Sequence, residues 1–129
     1  MQRALHAVTL VVPDYDEAIA FYVGRLNFDL LQDLDLGVGK RWVRVAPAGV
    51  TSGSLLIAKA DAPAQSAAIG NQTGGRVGFF LETDDFARDH TSMRAAGVMF
   101  EEAPRHEPYG VVAVWQDPFG NRWDLIQFT

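Results

Sequence analysis

Ala7-Val8-Thr9-Leu10-Val11-Val12-Pro13-Asp14 leads into a helix-like stretch through Phe21-Tyr22 and then into Leu26-Asn27-Phe28. Roughly 70 residues later the order returns: Gly78-Phe79-Phe80-Leu81-Glu82-Thr83-Asp84-Asp85, a helix through Met93-Arg94, then Ala96-Gly97-Val98. One pattern occurring twice predicts a fold of two equivalent units rather than a long repeat array.

Working outward from the first copy, residues 6–12 are apolar and β-branched and read as a strand. Pro13 closes it by fixing φ and removing a donor. Asp14 is placed to cap a helix over 15–26, in which Ala18, Ile19, Phe21, Tyr22 and Leu26 recur at helical spacing. Strands follow at 28–34, 41–46 and 54–59, separated by the Gly37-Val38-Gly39 turn and a loop over 47–53. Residues 60–75 show almost no periodicity and read as a linker. The second copy gives a strand at 76–82, a helix capped by Asp84 or Asp85 and ending at Gly97, and a strand at 98–101. A loop over 103–109 holds two prolines and precedes strands at 110–116 and 122–128, which flank the turn Asp117-Pro118-Phe119-Gly120-Asn121. The expected class is α+β, eight strands and two helices in two βαβββ units. A single domain spans 1–129, with unit one at about 1–60, a linker at about 61–75 and unit two at about 76–129.

Composition narrows the function classes. With 129 residues, 48% hydrophobic and 21% charged, there is apolar material for one core. A net charge of -5 with 11 scattered Lys and Arg argues against a nucleic-acid partner. The absence of cysteine excludes disulfides, thiolate nucleophiles and thiolate-bound zinc. No basic region followed by a long apolar run occurs at the N-terminus, so a cytoplasmic protein with no membrane partner is expected.

The stretch from Val12-Pro13-Asp14-Tyr15-Asp16-Glu17 to Phe21-Tyr22, with Leu26-Asn27-Phe28, and the stretch Asp117-Pro118-Phe119-Gly120-Asn121-Arg122-Trp123-Asp124-Leu125-Ile126 resemble the vicinal oxygen chelate superfamily. That superfamily includes glyoxalase I, extradiol dioxygenases, fosfomycin resistance enzymes and bleomycin resistance proteins. Asn27 stands where the family usually has Gly, and Asn also tolerates a left-handed backbone. The resemblance implies a curved, partly closed mixed sheet around a cavity, each helix on the convex side. It also implies metal ligands on the first and last strand of each unit in the metal-using members. Carried onto this sequence, the first-strand slots fall on Ala7 and Gly78, residues 54–58 offer no ligand, and Asp124 alone remains in place of the usual Glu. His6 becomes a ligand only if the register slips by one residue. His106 lies near the implied cavity rim, and His90 reads as solvent-facing on the second helix. No cofactor is expected; the alternative is a divalent metal, nickel, zinc, iron or manganese.

Strand alternation assigns the cavity lining. Val8, Leu10, Val12, Val43, Val45, Trp123 and Leu125 are expected on the packed face. The open face then presents Trp42 and Arg44, Arg76, Phe80 and Glu82, and Arg122, Asp124 and Ile126, with Tyr109 as a lid. Aromatic area beside guanidinium groups suits an aromatic or amphiphilic, anionic small molecule, unless the charges pair with one another as a structural network. The function expected from the blank slots is that of a metal-independent small-molecule-binding protein similar to bleomycin resistance proteins, acting as a homodimer. The alternative is a metal-dependent lyase or dioxygenase of the same superfamily, resembling lactoylglutathione lyase and using Asp124 with non-standard ligands.

Overall fold

The computed structural model of the chain describes residues 2–129, divided into two compact units whose boundary falls between Ile69 and Gly70. The first unit contains β1 (Ala7–Val12), α1 (Tyr15–Ile19) with a π-helical continuation (Ala20–Arg25), β2 (Asp29–Gly37), β3 (Lys40–Ala46), β4 (Ser54–Lys59) and α2 (Pro63–Ala68). Its sheet has the order β1-β4-β3-β2, with β1 parallel to β4 and the other pairs antiparallel. Asp14 caps α1 as its position suggests, Oδ2 accepting from the Glu17 amide at 2.9 Å.

The expected single α-helix over 15–26 widens after Ile19, where the Leu26 amide donates to the Phe21 carbonyl five residues back. A wider turn reduces the angle between successive side chains. The consecutive Phe21 and Tyr22 are thereby both buried, meeting edge-on at 5.0 Å. Asn27 then turns the chain at φ 58°.

The second unit contains β5 (Phe79–Glu82), α3 (Phe86–Ala95), β6 (Met99–Phe100), β7 (Arg105–Glu107), β8 (Gly110–Gln116) and β9 (Arg122–Phe128). Its order is β5-β9-β8-β6, with β7 also pairing β8 and β5 parallel to β9. Asp85 is the residue that caps α3, accepting from the Arg88 amide at 3.1 Å.

Further segments differ from the sequence reading. The strand expected at 76–82 begins only at Phe79, so Arg76 and Gly78 precede β5, and the strand expected at 28–34 runs over Asp29–Gly37. Residues 63–68 form α2 inside the expected linker; Pro63 opens the helix and alanines fill it, but none of its residues is buried, so no apolar period marks it. Residues 105–107 form β7 inside the expected loop, because Pro104 and Pro108 flank the short strand without entering its pairing with β8. Among the described residues nine strands therefore replace the expected eight.

The packed faces follow the alternation. Leu10, Ile57 and Val43 stand in register across β1, β4 and β3 and are essentially inaccessible. Val8 is the exception, 46% exposed. In the second unit Phe79, Trp123 and Trp115 stand in register across β5, β9 and β8, each neighbouring pair stacked at 4.9 Å.

Candidate functional site

The open face of the first unit carries a groove of about 620 Å³. Thr9 and Val11 of β1 with Leu56 and Ala58 of β4 form its floor, Leu36, Val38, Lys40 and Trp42 of the β2–β3 hairpin one wall, and Asp61 and Gln65 the other. Trp42 is thus where the alternation placed it. Its Nε1 donates to Gln32 Oε1 at 2.9 Å, which fixes the indole in the wall.

Arg44 shares the face but is differently engaged. Its Nε donates to the same Gln32 oxygen at 2.6 Å, and Nη1 donates to Ser54 Oγ at 2.8 Å and to the Thr51 carbonyl. Only 8% of it is exposed, so it braces β2, β3 and β4 from within. Arg41 closes the hairpin end. It forks onto Asp33 at 3.1 and 2.7 Å, reaches Asp16 at 2.8 Å and lies 5.2 Å from the Tyr15 ring centroid. These hydrogen bonds raise the Arg41 pKa further and, through Arg41, hold the Asp33 carboxyl below its ordinary range.

Apart from Trp42, the hairpin wall was missed in the sequence. The signal was present in Leu34, Leu36 and Val38, an apolar alternation that runs past the expected strand end into the turn and leaves all three exposed. No comparable signal marks Asp61 and Gln65, which lie in the supposed linker.

In the second unit Phe80 is 65% exposed and stands opposite Asp124, while Glu82 stands opposite Ile126. Oδ1 of Asp124 is buried and has no hydrogen-bond partner. Desolvation raises the pKa of this carboxyl; Arg105 and Arg122 oppose the rise and Glu102 adds to it. Neither arginine is available to bond it. Arg122 forks onto Glu101 with two contacts of 2.9 Å and donates to the Gly75 carbonyl, and Arg105 donates to Glu102 and Glu107 at 2.8 Å. Arg76 is exposed, its carbonyl accepting from Thr73 Oγ1. Tyr109 is 48% exposed, its carbonyl accepting from the Thr129 amide.

The histidines are placed as follows. His6 lies exposed before β1, its carbonyl accepting from the Ser54 amide and hydroxyl. His106 sits on β7 opposite Val111 rather than in a loop. His90 is not the solvent-facing residue expected: it is half-buried, stacked 5.4 Å from Phe86 and edge-on 4.5 Å from Phe100. Burial, with the nearby charge of Arg94, lowers its pKa.

A divalent metal held in the superfamily's manner needs several nitrogen or oxygen donors converging on one point. Ala7 offers none and stands opposite Ser54, whose hydroxyl is committed to Arg44 and to the His6 carbonyl. At Gly78 an added Cβ would lie 2.6 Å from Thr73 Cγ2, so that side chain occupies the slot. Among the described residues no group of three or more His, Cys, Asp and Glu is arranged to hold a metal ion. The residues present do not fit such a metal.

The motif that carries the resemblance turns out to be turn hardware. Asp117 is 4% exposed; its Oδ1 accepts from the Phe119 and Asn121 amides at 2.9 Å, and Oδ2 accepts from Asn121 Nδ2 at 2.7 Å. Gly120 completes the turn at φ 98°.

Residues 4–125 match the Glyoxalase/Bleomycin resistance protein/Dioxygenase superfamily. A protein of Shewanella frigidimarina (strain NCIMB 400) is 50% identical over 130 residues, covering 100% of this chain and 96% of that one. Among solved structures, TnmS3, an antibiotic binding protein from Streptomyces sp. CB03234, is 32% identical with a TM-score of 0.79, covering 99% of this chain and 98% of its own. UcmS2 is 28% identical with a TM-score of 0.84, covering 98% of each chain. Among the described residues no helix is long and apolar enough to cross a membrane. The chain belongs to the Glyoxalase/Bleomycin resistance protein/Dioxygenase superfamily.

Proposed function

We propose that this member of the superfamily is a small-molecule-binding protein that holds an aromatic or amphiphilic ligand, anionic in part, without a metal. The groove of the first unit carries the reading: it presents a fixed indole and aliphatic walls, with Ala58, Leu56 and Val11 on its floor and no cluster of metal donors. Its volume lies in the range of sites for drug-sized molecules. The likeness to TnmS3, an antibiotic binding protein, supports the same reading. On this view Trp42 supplies the aromatic contact and Arg44 sets the shape of the groove. Within the second unit taken by itself, the exposed Phe80, Arg76, Glu82 and Tyr109 are separate candidate ligand contacts. The protein acts as a homodimer, a reading supported by the exposed Leu30 and Leu34 on edge strand β2, which leave apolar surface uncovered in one chain.

A second reading draws on a specific observation. The unpartnered Asp124 oxygen is the kind of group an enzyme uses, so a lyase or dioxygenase would place its chemistry there. Metal analysis of the purified protein separates the two. Binding predicts substoichiometric nickel, zinc, iron and manganese, and no lactoylglutathione lyase activity after reconstitution with any of them. One tightly held equivalent of metal that disappears in Asp124→Ala would sink the metal-free binding reading and promote the enzyme.

A further inference from the structure

The two walls of the groove carry opposite charges that meet across it. Lys40 lies two residues before Trp42 on β3 and so shares its face. Asp61 stands on the facing wall, and the two side chains pair at 3.6 Å while 69% and 56% exposed. A contact this long and this wet contributes little, so the ammonium exchanges partners easily. Arg41, next along the strand, differs in kind: three hydrogen bonds to Asp33 and Asp16 engage its guanidinium. The spacing matters as well. Two residues along a strand are about 6.6 Å apart, a distance that a substituted bicyclic aromatic spans from ring to acidic group.

We propose that Lys40 is the residue by which the groove selects an anionic ligand, with Asp61 as its resting counter-ion. The ligand class is an aromatic monoanion whose rings lie against Trp42 and whose carboxylate, sulfonate or phenolate replaces Asp61 on the Lys40 ammonium. This rests on the reading of the groove as the ligand site. Asp61 then sets the threshold: it repels every anion, and only one that also gains the Trp42 contact displaces it from Lys40.

Two dyes test this, 1-anilinonaphthalene-8-sulfonate and N-phenyl-1-naphthylamine, which share their rings and differ in the sulfonate. Fluorescence titrations use the full chain as wild type, Asp61→Asn, Lys40→Met and Trp42→Ala. Asp61→Asn is expected to tighten binding of the sulfonate dye, and Lys40→Met to weaken it, by about two- to five-fold each, the scale of an exposed ion pair. The neutral dye should not respond to either change. Added salt should weaken only the sulfonate dye. Both charged side chains are exposed, and unchanged melting curves exclude a folding effect. If both dyes bind and Trp42→Ala weakens both, yet neither charge variant moves the sulfonate dye, the role of Lys40 is overturned while the groove stands. If Trp42→Ala moves neither dye, or neither binds, the groove reading falls and this inference falls with it.

Discussion

The two units share a wiring and fill it with different chemistry. In each, the first strand lies parallel to the last, β1 beside β4 and β5 beside β9, and a hairpin strand completes the order. The face toward the helix is aliphatic in one, Leu10-Ile57-Val43, and aromatic in the other, Phe79-Trp123-Trp115, at comparable ladder positions. The outer strand differs more. β2 runs nine residues and rises with β3 into an exposed hairpin, whereas its counterpart is broken around Pro104 into β6 of two residues and β7 of three. At that break Glu101 and Glu102 capture Arg122, Arg105 and the Val114 amide. Backbone pairing tolerates either kind of apolar filling; the continuity of the outer strand decides whether the flank becomes a groove wall or a network of charges.

The largest expected effect lies in the aromatic ladder. Trp115→Ala should lower unfolding free energy by about 3–5 kcal/mol, whereas Ile57→Val at the centre of the aliphatic ladder should cost only about 0.5–1.5 kcal/mol. Chemical denaturation measures both. Equal losses would show that the stacked rings add nothing as a unit.

The hairpin gives a smaller effect of opposite sign. Val38 is a β-branched residue at φ 55° and is fully exposed. Relief of that backbone conformation by Val38→Asn should stabilise the protein by about 1 kcal/mol, because Asn adopts a left-handed turn with less strain. A thermal melt no higher than wild type would count against strain at the tip.

The smallest effect is set by pH. The folded-state pKa of Asp124 is raised, so the folded protein binds the extra proton, and stability falls as pH rises from the ordinary value of 3.8 through the raised one. Asp124→Asn removes that loss. It should match wild type in acid and exceed it modestly at neutral pH, a difference that melting curves across this range can follow. Glu101 behaves in the reverse sense: Arg122 lowers its pKa, so its contribution is present above the ordinary value of 4.5 and is lost as pH falls through the depressed one. A wild-type protein that gains stability through Asp124 ionisation would contradict the burial argument.

The duplication, the strands at 54–59, 110–116 and 122–128, the cap at Asp14, a second cap at Asp84 or Asp85, and the Asp117–Asn121 turn were all legible in the sequence. The partners in the caps and the turn are near neighbours: Asp14 meets Glu17, Asp85 meets Arg88 and Asp117 meets Asn121, each three or four residues away. Such contacts depend on residue type and spacing alone. The fate of the charges was not legible. Arg44 and Arg122 present the same chemistry on paper as a ligand-binding arginine, yet Arg44 is tied to Gln32 and Ser54, and Arg122 to Glu101, across separations of ten residues or more. Lys40 meets Asp61 across twenty-one residues, just past the end of β4, in a segment with no apolar period to place it. Alternation along a strand tells which face a side chain takes; which partner waits on that face depends on the register of the neighbouring strand, and only the folded chain sets that.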